Sequence, residues 1–260
     1  MKIVIVTQKE FYFMPNAVAG LVDKFDGEVT GIIVSSATST HGSFLAALRR
    51  HVVLFGVIGF LRLILRDMFG KLSSMVYQTG RNGYFYSIES VARVKNIPYY
   101  EVKKFNTDAS RSLFASSKAD VLVSISCPLI IGRKIRAMFP KGAVNSHSAP
   151  LPKYRGLMPN FWVLLNEEKE TAVSIHELAD KIDDGAILMQ KSIPIESEET
   201  WSSLVKKCKV VSVELIIEYL KVLEKGEVAK LPNDDEHATY NSFPTRADRK
   251  KFLSMGRRFF

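Results

Sequence analysis

Short β-branched runs alternate with segments of helical spacing along most of the chain, and no other feature constrains the fold as tightly. KIVIV near the N-terminus, EVTGIIVSS (28–36), PYYEVKK (98–104), DVLVSIS (120–126) and GAVNSH (142–147) read as strands. PNAVAGLVDKF (15–25), YSIESVARVKN (86–96), DASRSLFASSKA (108–119) and GRKIRAMF (132–139) read as the helices between them. Strand, helix, strand in repetition predicts right-handed βαβ units, and hence an α/β fold with a Rossmann-like, mostly parallel sheet covered by helices on both faces. Such sheets bind ligands beyond the carboxyl ends of their strands. Asn145 and His147, the polar pair that closes GAVNSH, stand at such an end.

After Gly156 the pattern changes. ETAVSIHEL (170–178) and GAILMQKSIPI (185–195) are strand-like runs joined by the polar KIDDG loop, which predicts an antiparallel C-terminal extension of the sheet. The run 200–227 opens on Thr200, keeps apolar residues at helical spacing and stops at Gly226, so it predicts a long helix packed back on the sheet. The expected organisation is one catalytic domain over 1–227, interrupted by a helical basic and apolar insertion at about 41–85, and followed by a basic tail over 228–260. The opening MKIVIVTQKE has neither the long apolar region nor the small-residue cleavage site of a signal peptide and reads as a first core strand.

Charge is distributed unevenly. Of the net +9, the stretches 41–85 and 246–260 each carry six Lys/Arg against one Asp, so the rest of the chain is close to neutral. The centre of the first stretch, HVVLFGVIGFLRLILRDMFGKL (51–72), is apolar but has only ten uncharged residues between Val52 and Leu61, short of the ~18 a spanning helix needs. Three readings follow: a helical element packed on its own fold or across a homodimer, a helix lying in a membrane interface with snorkelling arginines, and, least favoured, a span. A chain with 47% hydrophobic residues and two cysteines 81 positions apart fits a globular protein of a reducing compartment, without a disulfide framework or a zinc site. The expected location is cytoplasmic, with peripheral contact on the inner face of a membrane through 41–85.

Neither a GxGxxG fingerprint nor a GxxxxGK[ST] loop follows the first strand, which removes the main support for nucleotide-driven hydride or phosphoryl transfer. What remains is Asn145, His147 and the loop bearing Asp183 and Asp184. An Asn amide can donate to a developing oxyanion, an imidazole can move a proton near neutral pH, and a carboxylate can orient that imidazole. The residues alone leave the alternative open, since a single His at a strand end is commonly structural and an Asp-Asp-Gly loop is commonly a turn.

Three separated elements, Asn-x-His, the LPKYRG loop and an Asp-x-Gly placed 36 positions after His147, together resemble the formyltransferase superfamily in order and spacing. That superfamily includes methionyl-tRNA formyltransferases, glycinamide ribonucleotide transformylases and sugar N-formyltransferases. The resemblance covers 1–38 and 86–227 and implies the formyltransferase fold. It also implies a one-carbon group transferase using N10-formyltetrahydrofolate as co-substrate and no metal, with Asn145, His147 and Asp183 as the catalytic trio. In that family the pterin is held largely by backbone groups of two loops. Here they correspond to Cys127, Pro128, Leu129, Ile130 and Ile131, and to Leu178, Ala179, Asp180, Lys181 and Ile182. The resemblance gives protonated His147 a share in oxyanion stabilisation and leaves Asp184 as a turn residue. Ala149 and Pro150 replace the first two residues of the Ser-Leu-Leu-Pro run usual after the His, and Ala186 replaces a second acidic residue, which bears on acceptor recognition.

The expected partner is a small-molecule amine acceptor, and an amino sugar on a nucleotide or a carrier is favoured by elimination. Methionyl-tRNA is disfavoured because family members acting on it carry a C-terminal β-barrel domain and only 33 residues follow the last expected helix; nucleic acid is not an expected partner. Glycinamide ribonucleotide gives the apolar basic insertion no role. The rival readings are a formyltetrahydrofolate hydrolase and a folate- or membrane-binding module without turnover.

Overall fold

The computed structural model describes residues 1–11, 13–36, 44–77, 79, 83–226 and 228–260. Its main sheet has seven strands: β1 (Ile3–Gln8), β2 (Val29–Ser35), β3 (Tyr99–Val102), β4 (Val121–Ile125), β5 (Ala143–His147) and, beyond two residues of a separate small sheet at β6 (Arg155–Gly156), β7 (Glu170–Glu177) and β8 (Ile187–Pro194). The order is β3-β2-β1-β4-β5-β7-β8, with the first five strands parallel and β7 antiparallel to both its neighbours. The chain steps from β1 outward to β3 and then crosses to the other side of β1, so the strand order reverses between β1 and β4. This is where an open α/β sheet leaves a crevice at its carboxyl edge. The mixed α/β sheet matches the sequence expectation, including the antiparallel pair after Gly156.

Burial on both faces explains the unbroken β-branched runs. Ile3 and Ile5 enter one apolar cluster with α1 (Met14–Lys24), while Val4 and Val6, pointing the other way, enter a second with Phe114 and Ile135. Those last two come from α4 (Asp108–Ser116) and α5 (Arg133–Arg136), which follow α2 (Phe44–Val76) and α3 (Ile88–Val94) in the chain. A strand with solvent on one side would alternate polar and apolar instead. After the short α6 (Pro159–Leu165), the long α7 (Trp201–Lys225) is capped by Thr200, whose hydroxyl accepts from the Ser203 amide, and ends before Gly226, the start and stop read from the sequence.

The insertion is α2, two helical stretches joined at Gly56. This residue has φ +71°, and a Cβ added there would lie 2.8 Å from the Arg249 guanidinium, so the joint requires glycine. Leu54 and Phe55 are buried, with the Phe55 ring 5.0 Å from Trp201 and 5.1 Å from Phe259. Beyond the joint the outward face is bare: Ile58 is 84% exposed, and Leu61, Leu65, Met68, Leu72 and Met75 each more than half. Of the three readings of this stretch, packing on its own fold therefore holds for Leu54 and Phe55 and does not extend to Ile58. Among the described residues no helix is long and apolar enough to cross a membrane. His41 and the two residues after it, Gln78, residues 80–82 and the end of the expected long helix at Glu227 lie outside the described residues.

Residues 228–260, expected as a tail, lie against the body. Leu231 pairs with Ile187, β9 (Tyr240–Asn241) pairs with β6, and α8 (Arg246–Ser254) buries Phe252 against Phe161 with ring centroids 4.9 Å apart. The basic residues of this segment sit around a buried aromatic core, so its charge pattern in sequence concealed its packing.

Candidate active site

Asn145 and His147 stand at the carboxyl end of β5, on a strand whose other residues are apolar and buried or small. Antiparallel pairing sets His176 of β7 directly opposite Asn145, and the Asn145 amide Nδ2 lies 3.1 Å from the His176 Nε2. The other ring nitrogen, Nδ1, is 2.9 Å from the Glu177 carbonyl. A carbonyl only accepts, so Nδ1 carries the hydrogen, leaving Nε2 to accept one N–H of Asn145. The amide's second N–H has no partner among the described residues and remains available as a donor.

Asp183 comes from the β7–β8 loop. Its Oδ2 accepts from the Gly156 amide at 2.9 Å and lies 3.4 Å from His147 Nδ1, while Oδ1 lies 3.5 Å from His176 Nε2. The loop is held in this course by close fits. A Cβ on Gly185 would fall 2.0 Å from the Glu177 carbonyl oxygen, and Asn233 donates to the carbonyls of Asp183 and Gly185 at 3.0 and 2.8 Å. Asp183 itself has φ +53°, an uncommon backbone state for a residue other than glycine.

His147 is 7% exposed and donates from Nε2 to the Tyr154 carbonyl at 2.8 Å. That carbonyl is aimed at the ring by Tyr154's own left-handed backbone, φ +61°. With Nε2 already protonated, the nitrogen facing Asp183 gains a hydrogen only in the imidazolium. Burial pushes the His147 pKa below the ordinary imidazole value, against the opposing pull of the Asp183 charge and the Tyr154 carbonyl, so the resting ring is neutral near pH 7. For Asp183, burial favours the neutral acid. The charge of His147, present once that ring is protonated, and the Gly156 amide outweigh it and hold the carboxyl well below the usual carboxylate range. The expected protonated His147 is thus not the resting form this burial favours.

Asp184 points away from the trio. It pairs with the buried Arg155 at 2.8 Å, and Arg155 also reaches Asp235 at 2.7 Å and the Asn233 carbonyl at 2.8 Å. It is therefore a tie between the loop and the C-terminal segment as well as a turn residue.

The two loops expected to hold a pterin converge. Cys127, Leu129, Ile131 and Leu178 belong to one apolar cluster, and Arg136 donates through a single Nη1 to the Ile131 carbonyl at 2.8 Å and the Ala179 carbonyl at 2.9 Å, with Asp180 on its other nitrogen. The exposed side chains Ile130 and Ile182 lie on these two loops. Pro128 and Lys181 complete them; Lys181 pairs with Asp235 at 3.3 Å. An apolar cluster with backbone polar groups at its edge suits a flat heterocycle. Among the described residues no group of His, Cys, Asp and Glu is arranged to hold a metal ion.

Sequence reading missed His176, Arg136, Arg155 and Asn233. His176 carries a signal in hindsight: it is a polar residue inside an otherwise apolar strand run.

A sequence profile of the family described as formyl transferase matches residues 78–220, more than half of the chain, including Asn145, His147, His176 and Asp183. The chain belongs to the formyl transferase family. It is 32% identical over 161 residues to the methionyl-tRNA formyltransferase of Kosmotoga olearia, covering 62% of this chain and 52% of that protein. It is 32% identical over 157 residues to the bifunctional polymyxin resistance protein ArnA of Wigglesworthia glossinidia brevipalpis, covering 60% of this chain and 24% of that protein. The chain therefore spans about half the length, or less, of these curated relatives. Among solved structures, a sugar N-formyltransferase from Shewanella sp FDAARGOS_354 superposes with TM-score 0.58 at 17% identity, covering 93% of this chain and 76% of that one. A phosphoribosylglycinamide formyltransferase from Anaplasma phagocytophilum gives TM-score 0.60 at 13% identity, covering 93% and 99%. These likenesses establish the fold. The insertion α2 and the C-terminal segment after α7 lie outside the matched stretch.

Proposed function

We propose that this protein is an N-formyltransferase that moves a formyl group from N10-formyltetrahydrofolate to the primary amine of an amino sugar carried on a nucleotide or other phosphorylated carrier. The observation that carries the reaction class is the convergence of Asn145, His147 and Asp183 at the carboxyl edge of a formyl-transferase sheet. In the reaction a bond forms between the amine nitrogen and the formyl carbon, and the bond from that carbon to N10 breaks. N10 leaves with the electron pair and takes up one proton, and the amine loses one.

Each residue has a part that its geometry allows. The spare N–H of the Asn145 amide donates to the formyl oxygen as negative charge develops on it. Asp183 is too weak a base to hold the amine's proton on its own, but it faces the unprotonated Nδ1 of His147, which takes the proton and becomes an imidazolium with an acceptor on each nitrogen. Positive charge then appears beside Asp183 as the oxyanion forms, and the pair returns the proton to N10. The loops 127–131 and 178–182 would hold the folate through backbone groups, with Arg136 fixing their separation.

The acceptor class draws support from neighbours of the same fold. One is described as a sugar 3N-formyl transferase in the presence of dTDP and 5-N-formyl-THF, and another as an N-formyltransferase in complex with folinic acid and dTDP-3-aminofucose. Incubating the protein with N10-formyltetrahydrofolate and a panel of amino-sugar nucleotides should yield, for one of them, a product heavier by one CO in mass spectrometry, and Asn145→Ala should suppress it. Product formation unaffected by Asn145→Ala would overturn the assignment of the site.

The bare face of α2 supports peripheral contact with an anionic lipid surface at the inner face of a membrane. Between its ends α2 carries Arg49, Arg50, Arg62, Arg66 and Lys71 against Asp67, so a second copy would bring like charges together, whereas acidic head groups complement them. Co-sedimentation with anionic vesicles should be lost in Leu61→Glu/Leu65→Glu. A mass that doubles with concentration, without vesicle binding, would show that a second copy covers the face instead.

A further inference from the structure

Several contacts that hold the trio come from residues 231–241, which lie outside the stretch matched by the family profile and beyond the 1–227 expected to form the catalytic domain. The segment is fixed at both ends. The Leu231 backbone exchanges two hydrogen bonds with Ile187 at the start of β8, at 2.7 and 3.0 Å, and the Ser242 carbonyl accepts from the Trp162 indole at 3.1 Å. Between these points it runs beside the loops that carry Tyr154 and Asp183, with most of its side chains exposed, so its course depends on polar contacts more than on burial.

Thr239 meets the loop that serves His147. Its hydroxyl accepts from the Tyr154 amide at 2.7 Å, and its carbonyl accepts from the Arg155 amide at 2.9 Å. The Tyr154 carbonyl is the acceptor for His147 Nε2, so Thr239 and His147 grip the two polar ends of one residue. Tyr154 has φ +61°, a state that a bulky residue keeps only where its surroundings enforce it. Asn233 meets the loop that carries Asp183. Its Nδ2 donates to the carbonyls of Asp183 and Gly185 while its Oδ1 accepts from Arg155 at 2.9 Å, so both ends of the amide are committed. Gly156, whose amide donates to Asp183, stands between the two. It pairs with Asn241 so closely that a Cβ at this position would collide with the Asn241 carbonyl. Tyr240 reaches a third loop, donating from its hydroxyl to the Ile182 carbonyl at 3.1 Å.

We infer that Asn233, Thr239 and Tyr240 are positioning residues of the reaction. Thr239 sets the carbonyl on which His147 rests, Asn233 sets the loop from which Asp183 faces that ring, and Tyr240 sets the edge of the loop 178–182 read above as holding the folate. The inference rests on the formyl-transfer reading of the trio. None of the three touches the reacting atoms; they act through His147, Asp183 and the folate loop, where a displacement of about 1 Å lowers a rate by on the order of 10². The unit that performs the reaction therefore extends at least to residue 241.

Substitutions that keep shape and remove single contacts test this. Thr239→Val takes away the acceptor of the Tyr154 amide, Thr239→Ser keeps it, and Asn233→Asp keeps the acceptor toward Arg155 while removing both donors. With N10-formyltetrahydrofolate and an accepted amino-sugar nucleotide, kcat should fall about tenfold or more in Thr239→Val and in Asn233→Asp, and Thr239→Ser should stay within about threefold of the wild type. Tyr240→Phe should instead raise KM for the folate about fivefold, with kcat within about twofold, as loss of one neutral hydrogen bond on the binding loop does. Glu236→Gln, an exposed change on the same segment that meets none of these groups, should alter neither constant by more than about twofold. Circular dichroism and urea denaturation count the folded fraction, so a loss of stability alone would leave kcat per folded molecule unchanged. A second readout needs no substrate. In a nitrogen-15-edited proton spectrum the Nε2–H of His147, assigned by its disappearance in His147→Gln, should move upfield in Thr239→Val, as a longer and weaker hydrogen bond does, and return in Thr239→Ser. Full kcat per folded molecule in both Thr239→Val and Asn233→Asp, or a loss in Thr239→Val that Thr239→Ser does not restore, overturns the proposal and leaves formyl transfer itself standing. An unchanged KM in Tyr240→Phe removes Tyr240 from the set. The expected movement of the ring signal, with no amino sugar formylated, would remove the acceptor reading and leave the positioning of His147 standing.

Discussion

The β5–β7 edge and the outer half of α2 are opposite solutions to the same problem of placing side chains at a surface. At the sheet edge polar groups are buried and committed: His147 uses Nε2 on Tyr154, His176 uses Nδ1 on Glu177, and Asp183 is 10% exposed between the two rings. On α2 apolar groups are exposed among the described residues, Ile58 and Leu65 at 84% and 64%. Burying polar groups costs free energy that their fixed partners offset, and groups held in this way are oriented before a reaction begins. Apolar groups left bare in a row of this length call for a surface to cover them. On the proposed function the first region carries the chemistry and the second the placement, and substitutions should separate them.

The largest effect belongs to the sheet edge. Asp183→Asn leaves the volume unchanged but removes the charge that faces His147, and turnover should fall by on the order of 10² or more. Asp184→Asn, one residue away but tied to Arg155, should lose much less activity and more stability. Equal losses in the two would break the distinction drawn between them. Gly185→Ala places a methyl against the Glu177 carbonyl and should cost about 2–4 kcal/mol in urea denaturation. A change within about 0.5 kcal/mol would show that the β7–β8 loop is less constrained than its packing implies.

A smaller effect should be seen in pH dependence. His147 must be neutral to receive the proton, so activity falls as pH drops through its folded pKa, which burial places below about 6.5. Removing the Asp183 charge removes an influence that raises this pKa, so the residual activity of Asp183→Asn should persist to still lower pH. Stability shares the sign. The unfolded chain protonates His147 first as pH falls below about 6.5, then Asp183 below about 4, so both groups stabilise the fold at neutral pH and lose that contribution in acid. An acid limb above the ordinary imidazole value would contradict the neutral resting ring. The smallest effect on the fold should come from Leu61→Glu/Leu65→Glu, within about 0.5 kcal/mol by the same denaturation, while the proposed vesicle binding should be lost.

The two regions also differ in how much of them could be read in advance. Asn145, His147 and Asp183 could be singled out together because their order and spacing resemble the formyltransferase superfamily; the residues alone left a structural His and a turn open. The parallel sheet was legible because two-sided burial writes unbroken runs such as VLVSI. His176 was not, because its role depends on the antiparallel register that puts it opposite Asn145, and no local pattern states a register. Arg136, Arg155 and Asn233 tie segments 29 to 80 residues apart, and their partners come from loops whose meeting is decided by the whole fold. In α2 the apolar content was plain, but only Gly56 and the aromatic contacts of Phe55 decide which half is buried and which is bare.

The central claim, that the β5 edge transfers a formyl group to an amine, is tested most directly by stoichiometry. With N10-formyltetrahydrofolate and an accepted amino-sugar nucleotide, tetrahydrofolate and N-formylated product should accumulate in equal amounts, and omitting the amine should stop both. Tetrahydrofolate released together with free formate at the same rate in the absence of any amine would contradict the account and identify a hydrolase.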